Sequence, residues 1–323
     1  MEAFYHPPQP GSWQGRTSND ASYLHENIAL LDLSEPVEEH PPHRQPALLG
    51  YACDAGVARN LGRPGAAEGP ASLRKALGRM PWPETGPGQL WDAGDVVCPG
   101  DALETAQALL ALEVERLLER GFFPLCAGGG HDMAYAHYSG IRRYLKDGQL
   151  LGIINFDAHF DLRRPEPAAH SGSPFYQIAK HCRDTGMEFR YACLGLRRDA
   201  NPRELWERAA AWNVLPIERD ELCVGRFEPA LEKLRAFMQP LDAIYLTLDL
   251  DGFASAFAPG VSAPSPMGAS PTEIMPFLEA VLDSGKLVGA DIAELNPAFD
   301  RDGQTAVLGA ALLHKILSQP GLF

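Results

Sequence analysis

From residue 46 onward, short and almost unbroken apolar runs alternate with stretches in which apolar residues recur every three or four positions. The runs ALLGYAC (47–53), FFPLCA (122–127), LLGIINF (150–156), FRYACLGL (189–196), AIYLTLDL (243–250) and KLVGADIAEL (286–295) predict strands. The helical spacing predicts helices over 69–77, 101–120, 132–146, 202–212, 226–238, 271–283 and 303–317. Strands that are apolar throughout, rather than at every second position, belong to a parallel sheet covered by helices on both faces. With no composition break or internal repeat after residue 46, one α/β domain over 46–323 is expected. Residues 1–45, rich in Pro, His, Glu and Ser, show weak periodicity and are expected to form an irregular arm that packs over the domain or frays.

Composition narrows the partners. The chain has 323 residues and is 45% hydrophobic, enough to fill a large core. Its 28 Lys+Arg against 42 Asp+Glu give a net charge of −14, the wrong sign for wrapping nucleic acid or lying on an anionic membrane. The 6 cysteines are scattered without a CxxC pair, which suits reduced, buried thiols and a cytoplasmic protein. Neither a signal peptide nor an apolar run of membrane-spanning length is visible.

The polar residues that stand out lie where the strands end. FFPLCA runs through Gly128, Gly129 and Gly130 to His131; LLGIINF runs into DAHFD, with Asp157, His159 and Asp161 on alternate positions; AIYLTLDL ends with Asp249, and Asp251 follows two residues on. Side chains two apart on extended backbone point the same way. Ligands of parallel sheets gather beyond the carboxyl ends of the strands, so these clusters are expected to meet. Four carboxylates converging as bare anions would drive one another's pKa upward, and divalent cations relieve that repulsion. An oxygen-rich set with one imidazole for each metal suits Mn2+ better than a thiolate zinc site.

GGGHD (128–132), NFDAHFD (155–161), LTLDLDGF with Asp249 and Asp251, DIAELNP (291–297) and the early loop GRPGAAEGPASLR (62–74) together resemble the arginase/agmatinase/formimidoylglutamase superfamily, the ureohydrolases. The resemblance covers nearly all of the chain beyond residue 46. It implies a three-layer α/β/α, arginase-like fold and two Mn2+ per subunit. One metal would be held by His131, Asp157, Asp161 and Asp249, and the other by His159, Asp157, Asp249 and Asp251, with Asp157 and Asp249 bridging. In arginases and agmatinases a catalytic-site His precedes the Gly of the following loop; here Ser171 precedes Gly172, and His170 stands one position earlier. That departure, with SGSPF (171–175), DLR (161–163) and APGVSAPSPMG (258–268), looks like the formimidoylglutamase branch.

The implied reaction is hydrolysis of N-formimidoyl-L-glutamate to L-glutamate and formamide, a step of histidine degradation. Asp161 is expected to shuttle a proton to the leaving nitrogen, Glu294 to pair with the amidinium, and His170 to assist. Arg163, Ser171 and Asn201 are the expected substrate contacts, with Arg164, Arg197 and Arg198 as further cations near the pocket. A homo-oligomer is implied, with a small molecule as the substrate. Three rival readings share parts of this pattern. A hydrolase of arginine, agmatine or another guanidino compound would differ only in the pocket for the substrate's tail. A zinc deacetylase would need an adjacent His pair that GGGHDMAYAH lacks. A non-enzymatic metal binder would have no use for Glu294.

Overall fold

The computed structural model describes residues 3–35, 41 and 43–323. Among them are ten strands: β1 (Tyr5–His6), β2 (Ile28–Leu30), β3 (Gln45–Ala52), β4 (Leu90–Val97), β5 (Phe122–Gly128), β6 (Leu151–Phe156), β7 (Arg190–Leu196), β8 (Leu215–Glu218), β9 (Ala243–Asp249) and β10 (Leu287–Ala293). The helices are α1 (Ala55–Arg59), α2 (Gly69–Leu77), α3 (Leu103–Glu119), α4 (Met133–Tyr144), α5 (Pro174–Thr185), α6 (Arg203–Ala211), α7 (Glu228–Met238), α8 (Pro271–Leu282) and α9 (Gln304–Leu317).

The strands form one sheet in the order β1-β4-β3-β5-β10-β9-β6-β7-β8, with β2 also paired to β4. Every pairing is parallel except that of β1 with β4. Successive residues of one strand face opposite layers. Leu48, Leu125, Ile154 and Leu246 pack with Leu73, Leu234, Phe277 and Leu313 of α2, α7, α8 and α9. Leu49, Cys126, Ile153 and Tyr245 pack with Leu110, Ile141, Ile178 and Leu205 of α3 to α6. This is the expected three-layer α/β/α arrangement, and it explains why the central strands read as continuously apolar.

Two departures from the sequence pattern have physical causes. β4 was not expected because LWDAGDVV carries two aspartates. In the fold Asp92 is buried with the guanidinium of Arg74 (Nη2–Oδ1 2.8 Å), and Asp95 meets the same Arg74 (2.6 Å). The described part of the arm is also more ordered than expected: Tyr5 pairs with Val96, Ile28 with Leu90, and Leu24 is fully buried. Residues 1–2, 36–40 and 42 of that expectation lie outside the described residues. Trp13 is 6% exposed, and its indole N–H donates to Asp92 Oδ2 at 2.7 Å. Among the described residues, no helix is long and apolar enough to cross a membrane.

These contacts make the arm part of the folding unit. Trp13→Ala is expected to cost about 3–5 kcal/mol, the usual range for emptying a buried Trp site, measured by denaturant unfolding. A loss under about 0.5 kcal/mol, typical of an exposed position, would show that the arm contributes no stability.

Candidate metal centre

The order β5-β10-β9-β6 places four carboxyl ends side by side, although β5 and β6 are consecutive in the chain and β9 and β10 follow much later. After β5 the backbone turns through Gly129, where a Cβ would lie 2.3 Å from the Cys53 carbonyl and 2.5 Å from that of Tyr51. Only glycine fits there, and the turn delivers His131. After β6 come Asp157, His159 and Asp161; β9 ends with Asp249 and is followed by Asp251; β10 is followed by Glu294. Asp161 (φ 48°) and Glu294 (φ 66°) both sit in the left-handed region, which is uncommon for non-glycine residues.

The donor atoms fall into two groups that share Asp157. His131, Asp157, Asp161 and Asp249 form one, and Asp157, His159 and Asp251 the other, with the ligand atoms of each within 4.8 Å of one another. His131 Nδ1 lies 2.9 Å from Asp249 Oδ2, 3.0 Å from Asp161 Oδ2 and 3.4 Å from Asp157 Oδ2. His159 Nδ1 lies 3.2 Å from Asp251 Oδ1 and 3.3 Å from Asp157 Oδ1. Asp157 thus offers one oxygen to each group. Asp249 stands in the first group, with its Oδ1 accepting the Asp251 N–H at 2.8 Å, much as Asp157 Oδ1 accepts the His159 N–H at 2.7 Å. Neither group contains a thiol, and the oxygen-rich donor set fits Mn2+.

Crowding distorts the protonation of these groups. Burial and the neighbouring Asp157 charge raise the pKa of Asp249, burial and Asp249 push Asp251 well up, and Asp161 is raised by burial and Asp157. Burial alone would depress both imidazoles, but the surrounding carboxylates, Asp249 foremost at His131 and Asp251 at His159, hold them well above the ordinary range. Asp157 moves the opposite way, because His131 and His159 together outweigh its own burial.

Supporting residues orient this set. His131 Nε2 lies 3.0 Å from Thr247 Oγ1, and Asn155 donates to Asp157 Oδ2 at 3.1 Å. Each stands two residues before a ligand on the same strand, so the two-residue period that marked the aspartates marks these partners as well. A cavity of about 290 Å3 opens over the donors, bordered by Asn60, Arg63, Arg163, Ser171, Ser262 and Glu294 among others. Asn60 and Arg63 were not among the expected substrate contacts, although Arg63 lies in the early-loop motif at 62–74.

Two of the expected site residues carry structural hydrogen bonds. His170 lies beside the cavity-bordering Ser171; its Nε2 lies 3.1 Å from the Arg164 carbonyl and its Nδ1 accepts the Gly172 N–H at 3.2 Å, so the ring helps to fold its own loop. Asn201 borders the cavity. Its Oδ1 accepts the Phe160 N–H (3.0 Å), and Nδ2 donates to the Ala158 and Arg197 carbonyls (both 2.8 Å). These bonds clamp the loop that carries His159.

Fold and donor set together define the class: an α/β domain with a candidate divalent-metal centre at the carboxyl edge of its sheet. The chain belongs to the arginase family, which it matches over residues 44–318. It is 40% identical to the formimidoylglutamase of Geobacillus thermodenitrificans over 98% of this chain and 99% of that one. To the formimidoylglutamase of Aeromonas salmonicida it is 43% identical over 94% and 96%. Among solved structures, Trypanosoma cruzi formiminoglutamase with Mn2+2 superposes with a TM-score of 0.75 at 25% identity, covering 88% of this chain and 96% of that one. Bacillus subtilis formimidoylglutamase shares the fold with a TM-score of 0.82 at 21% identity, covering 97% and 95%.

The shifted groups set the sign of a pH effect. Raised carboxylates and imidazoles bind more protons folded than unfolded, so in metal-stripped protein their contribution to stability falls as pH climbs above the ordinary carboxylate range; Asp157 alone contributes the opposite sign. Mn2+ displaces those protons. The rise in thermal midpoint on adding Mn2+ is therefore expected to be larger at pH 8 than at pH 5.5; scanning fluorimetry giving equal shifts would contradict this assignment.

Proposed function

We propose that this protein hydrolyses N-formimidoyl-L-glutamate to L-glutamate and formamide at a centre of two Mn2+ per subunit. Relatives named for that activity align along almost the whole chain. The observation that carries the reading is a cavity with a carboxylate-rich floor and an uncommitted arginine at its rim. Among the described residues Arg163 enters no ion pair, and its guanidinium reaches only Asn60 Oδ1, at 3.4 Å. Arg164, Arg197 and Arg198 are committed to Glu166, Asp199 and Glu218.

Bound by these donors, the cations supply Lewis acidity and a water of lowered pKa at neutral pH. Glu294 Oε1 accepts the His131 N–H at 2.8 Å, which fixes its carboxylate over the cavity floor. There it pairs with the cationic amidine and holds the planar carbon in line for attack. Asp161 stands at the edge of the floor with its side chain 13% exposed and passes a proton to the departing glutamate nitrogen. At the rim, Arg163 grips a glutamate carboxylate through two parallel hydrogen bonds. Arg63, anchored to the Ser262 carbonyl (3.0 Å) and stacked 3.8 Å over the Phe299 ring, adds fixed positive charge there. Ser171, held by Asn60 Nδ2 at 3.1 Å, leaves room that a larger side chain would fill. A cytoplasmic location and assembly with further copies of the chain complete the proposal.

The test is turnover by Mn2+-loaded protein on formimidoylglutamate, arginine, agmatine and guanidinobutyrate, reading formamide against urea. Formamide from the first substrate alone is expected, and urea from any of the others would move the protein to a guanidino substrate. Arg163→Ala is expected to lower kcat/KM by about tenfold or more, mainly through KM, as loss of a charge-assisted hydrogen bond would. Asp249→Ala is expected to abolish turnover; near-normal rates in that variant would end the metal-centred account.

A further inference from the structure

α1 and the residue that closes it lie ahead of the early-loop motif, yet they meet two side chains on the far side of the cavity mouth. Asn60 caps the carboxyl end of α1. Its Nδ2 donates to Ser171 Oγ at 3.1 Å, and its Oδ1 accepts from Arg163 Nη1 at 3.4 Å. One amide thus reaches two residues that border the same cavity. Gly172 closes the group from beneath. A Cβ there would lie 3.1 Å from Asn60 Nδ2 and 3.3 Å from Arg163 Cδ, tighter than side chains ordinarily pack. The Gly172 carbonyl also accepts the Arg163 N–H at 3.0 Å. Asn60, Arg163, Ser171 and Gly172 therefore share one packed corner of the rim, and a side chain at 172 would wedge between the amide and the guanidinium.

The mount under Asn60 is fixed. α1 ends in a left-handed closure: Leu61 N–H donates to Ala58 O at 3.0 Å and Gly62 N–H to Val57 O at 2.8 Å, with Leu61 at φ 61°. Glycine ordinarily takes that position because a side chain there is strained. The Leu61 side chain is 95% exposed, so its own burial does not offset the strain. What the closure does is aim its neighbours. It stops the helix at Asn60 and sends the chain on to Arg63, whose N–H donates to Ser262 Oγ at 2.8 Å. On the other side, Arg59 Nη1 donates to the Ala169 carbonyl at 3.0 Å, and the Ser171 N–H donates to Gly56 O at 3.1 Å. Asp54 Oδ2 accepts the Gly65 N–H at 2.6 Å and so joins the two ends of the segment. The Asn60 amide is held at a set position against the loop 169–172.

An amide suits this place for a chemical reason. A long side chain gives up rotamer freedom when it grips a ligand. A neutral acceptor that steadies the guanidinium beforehand lowers that cost and leaves its charge uncancelled, whereas a carboxylate would pair with it and compete with the ligand. Arg164, Arg197 and Arg198 each meet a carboxylate; Arg163 meets Asn60. The same amide donates to Ser171 Oγ, which leaves the hydroxyl hydrogen for an acceptor in the cavity.

We propose that Asn60 is the positioning residue of the substrate-tail site, holding the Arg163 guanidinium and the Ser171 hydroxyl as one fork that receives a carboxylate of the tail. The inference rests on the formimidoylglutamate reading and deepens it, by naming the residue through which the two contacts act together.

The test is steady-state kinetics of the Mn2+-loaded, full-length protein on formimidoylglutamate, alongside thermal midpoints. Asn60→Ala is expected to raise KM by about 3–10-fold, as loss of a hydrogen bond does, with kcat within about twofold of the parent. In an Arg163→Ala background the same substitution should cost about twofold or less, because most of its action passes through the missing guanidinium. Gly172→Ala leaves Asn60 and Arg163 in the chain but parts them, and should raise KM by a similar factor of about 3–10. Parental KM in a folded Asn60→Ala protein, or a fall in kcat with KM unmoved, overturns the proposal. So does an equal fold-loss with and without the Arg163 guanidinium. If Asn60→Ala fails to fold, Gly172→Ala decides alone, and parental KM in it overturns the fork. Failure of the parent to release formamide overturns the function reading itself, an outcome seen before any variant is compared.

Discussion

The constraint on which this fold turns is the repulsion among five carboxylates confined to one edge of the sheet. Asp157, Asp249, Asp251 and Glu294 are each at most 5% exposed, and Asp161 borders the same cavity. Two unit charges about 4 Å apart interact by about 4 kcal/mol at the effective dielectric of a protein surface, so a bare cluster of this size pulls against the packing that assembles it. Two imidazoles relieve part of that load, as the displaced pKa values of His131 and His159 record. Divalent cations bound there would relieve the rest. The carboxylate cluster suited to metal is therefore also the one that strains the metal-free chain.

Sheet topology creates the crowding. A chain that ran its strands in spatial order would place the His131 loop beside the Asp157 loop; here β9 and β10 are inserted between β5 and β6, each adding a carboxylate-bearing end. The wide helical layers on both faces make that insertion stable, and the loops beyond the strands accommodate its local strain. Asp161 and Glu294, both in the left-handed region, are the points where the backbone bends against its preference so that two side chains turn inward. Gly252 shows the same compression from the other side: a Cβ there would lie 2.9 Å from the Asp157 Cα. The ligand loops of β6 and β9 approach to the limit that a residue without a side chain permits.

Much of this was legible in the residue pattern, and the exceptions share a cause. Apolar runs located the six core strands to within about two residues, and the expected helix at 69–77 coincides with α2. That His131, Asp157, His159, Asp161, Asp249 and Asp251 cluster at one sheet edge was legible because polar groups at the ends of apolar strands are costly without partners. Three kinds of feature were hidden. β4 was masked by Asp92 and Asp95, whose cost is offset by Arg74, a residue distant in sequence. α5 was masked because it begins at Pro174, directly after the loop that drew attention to its polar residues. The loop-holding bonds of His170 and Asn201 were hidden because residue type cannot show which backbone groups a side chain will meet. Sequence reports a capacity for hydrogen bonding, and only the fold reports how it is spent.

The floor and the rim of the cavity answer to different parts of the chain. Floor residues stand on strand ends whose positions are fixed by a ten-stranded sheet. The rim is built from loops tied to one another by main-chain bonds: Arg163 N–H to Gly172 O at 3.0 Å, Ser171 N–H to Gly56 O at 3.1 Å, and Arg63 N–H to Ser262 Oγ at 2.8 Å. Two of these three bonds use backbone atoms alone, so side chains on the rim can change with little effect on loop geometry. A substitution such as Ser171 for a larger residue alters which substrate tail fits without moving a donor atom. A change at Asp157 or Thr247 acts on the metal group whatever the tail. Placing chemistry on strands and selection on loops lets one scaffold keep its hydrolytic floor while its substrate changes. On the proposed reading, selection of the substrate rests with Arg163, Ser171 and their neighbours on the rim more than with the six residues of the floor.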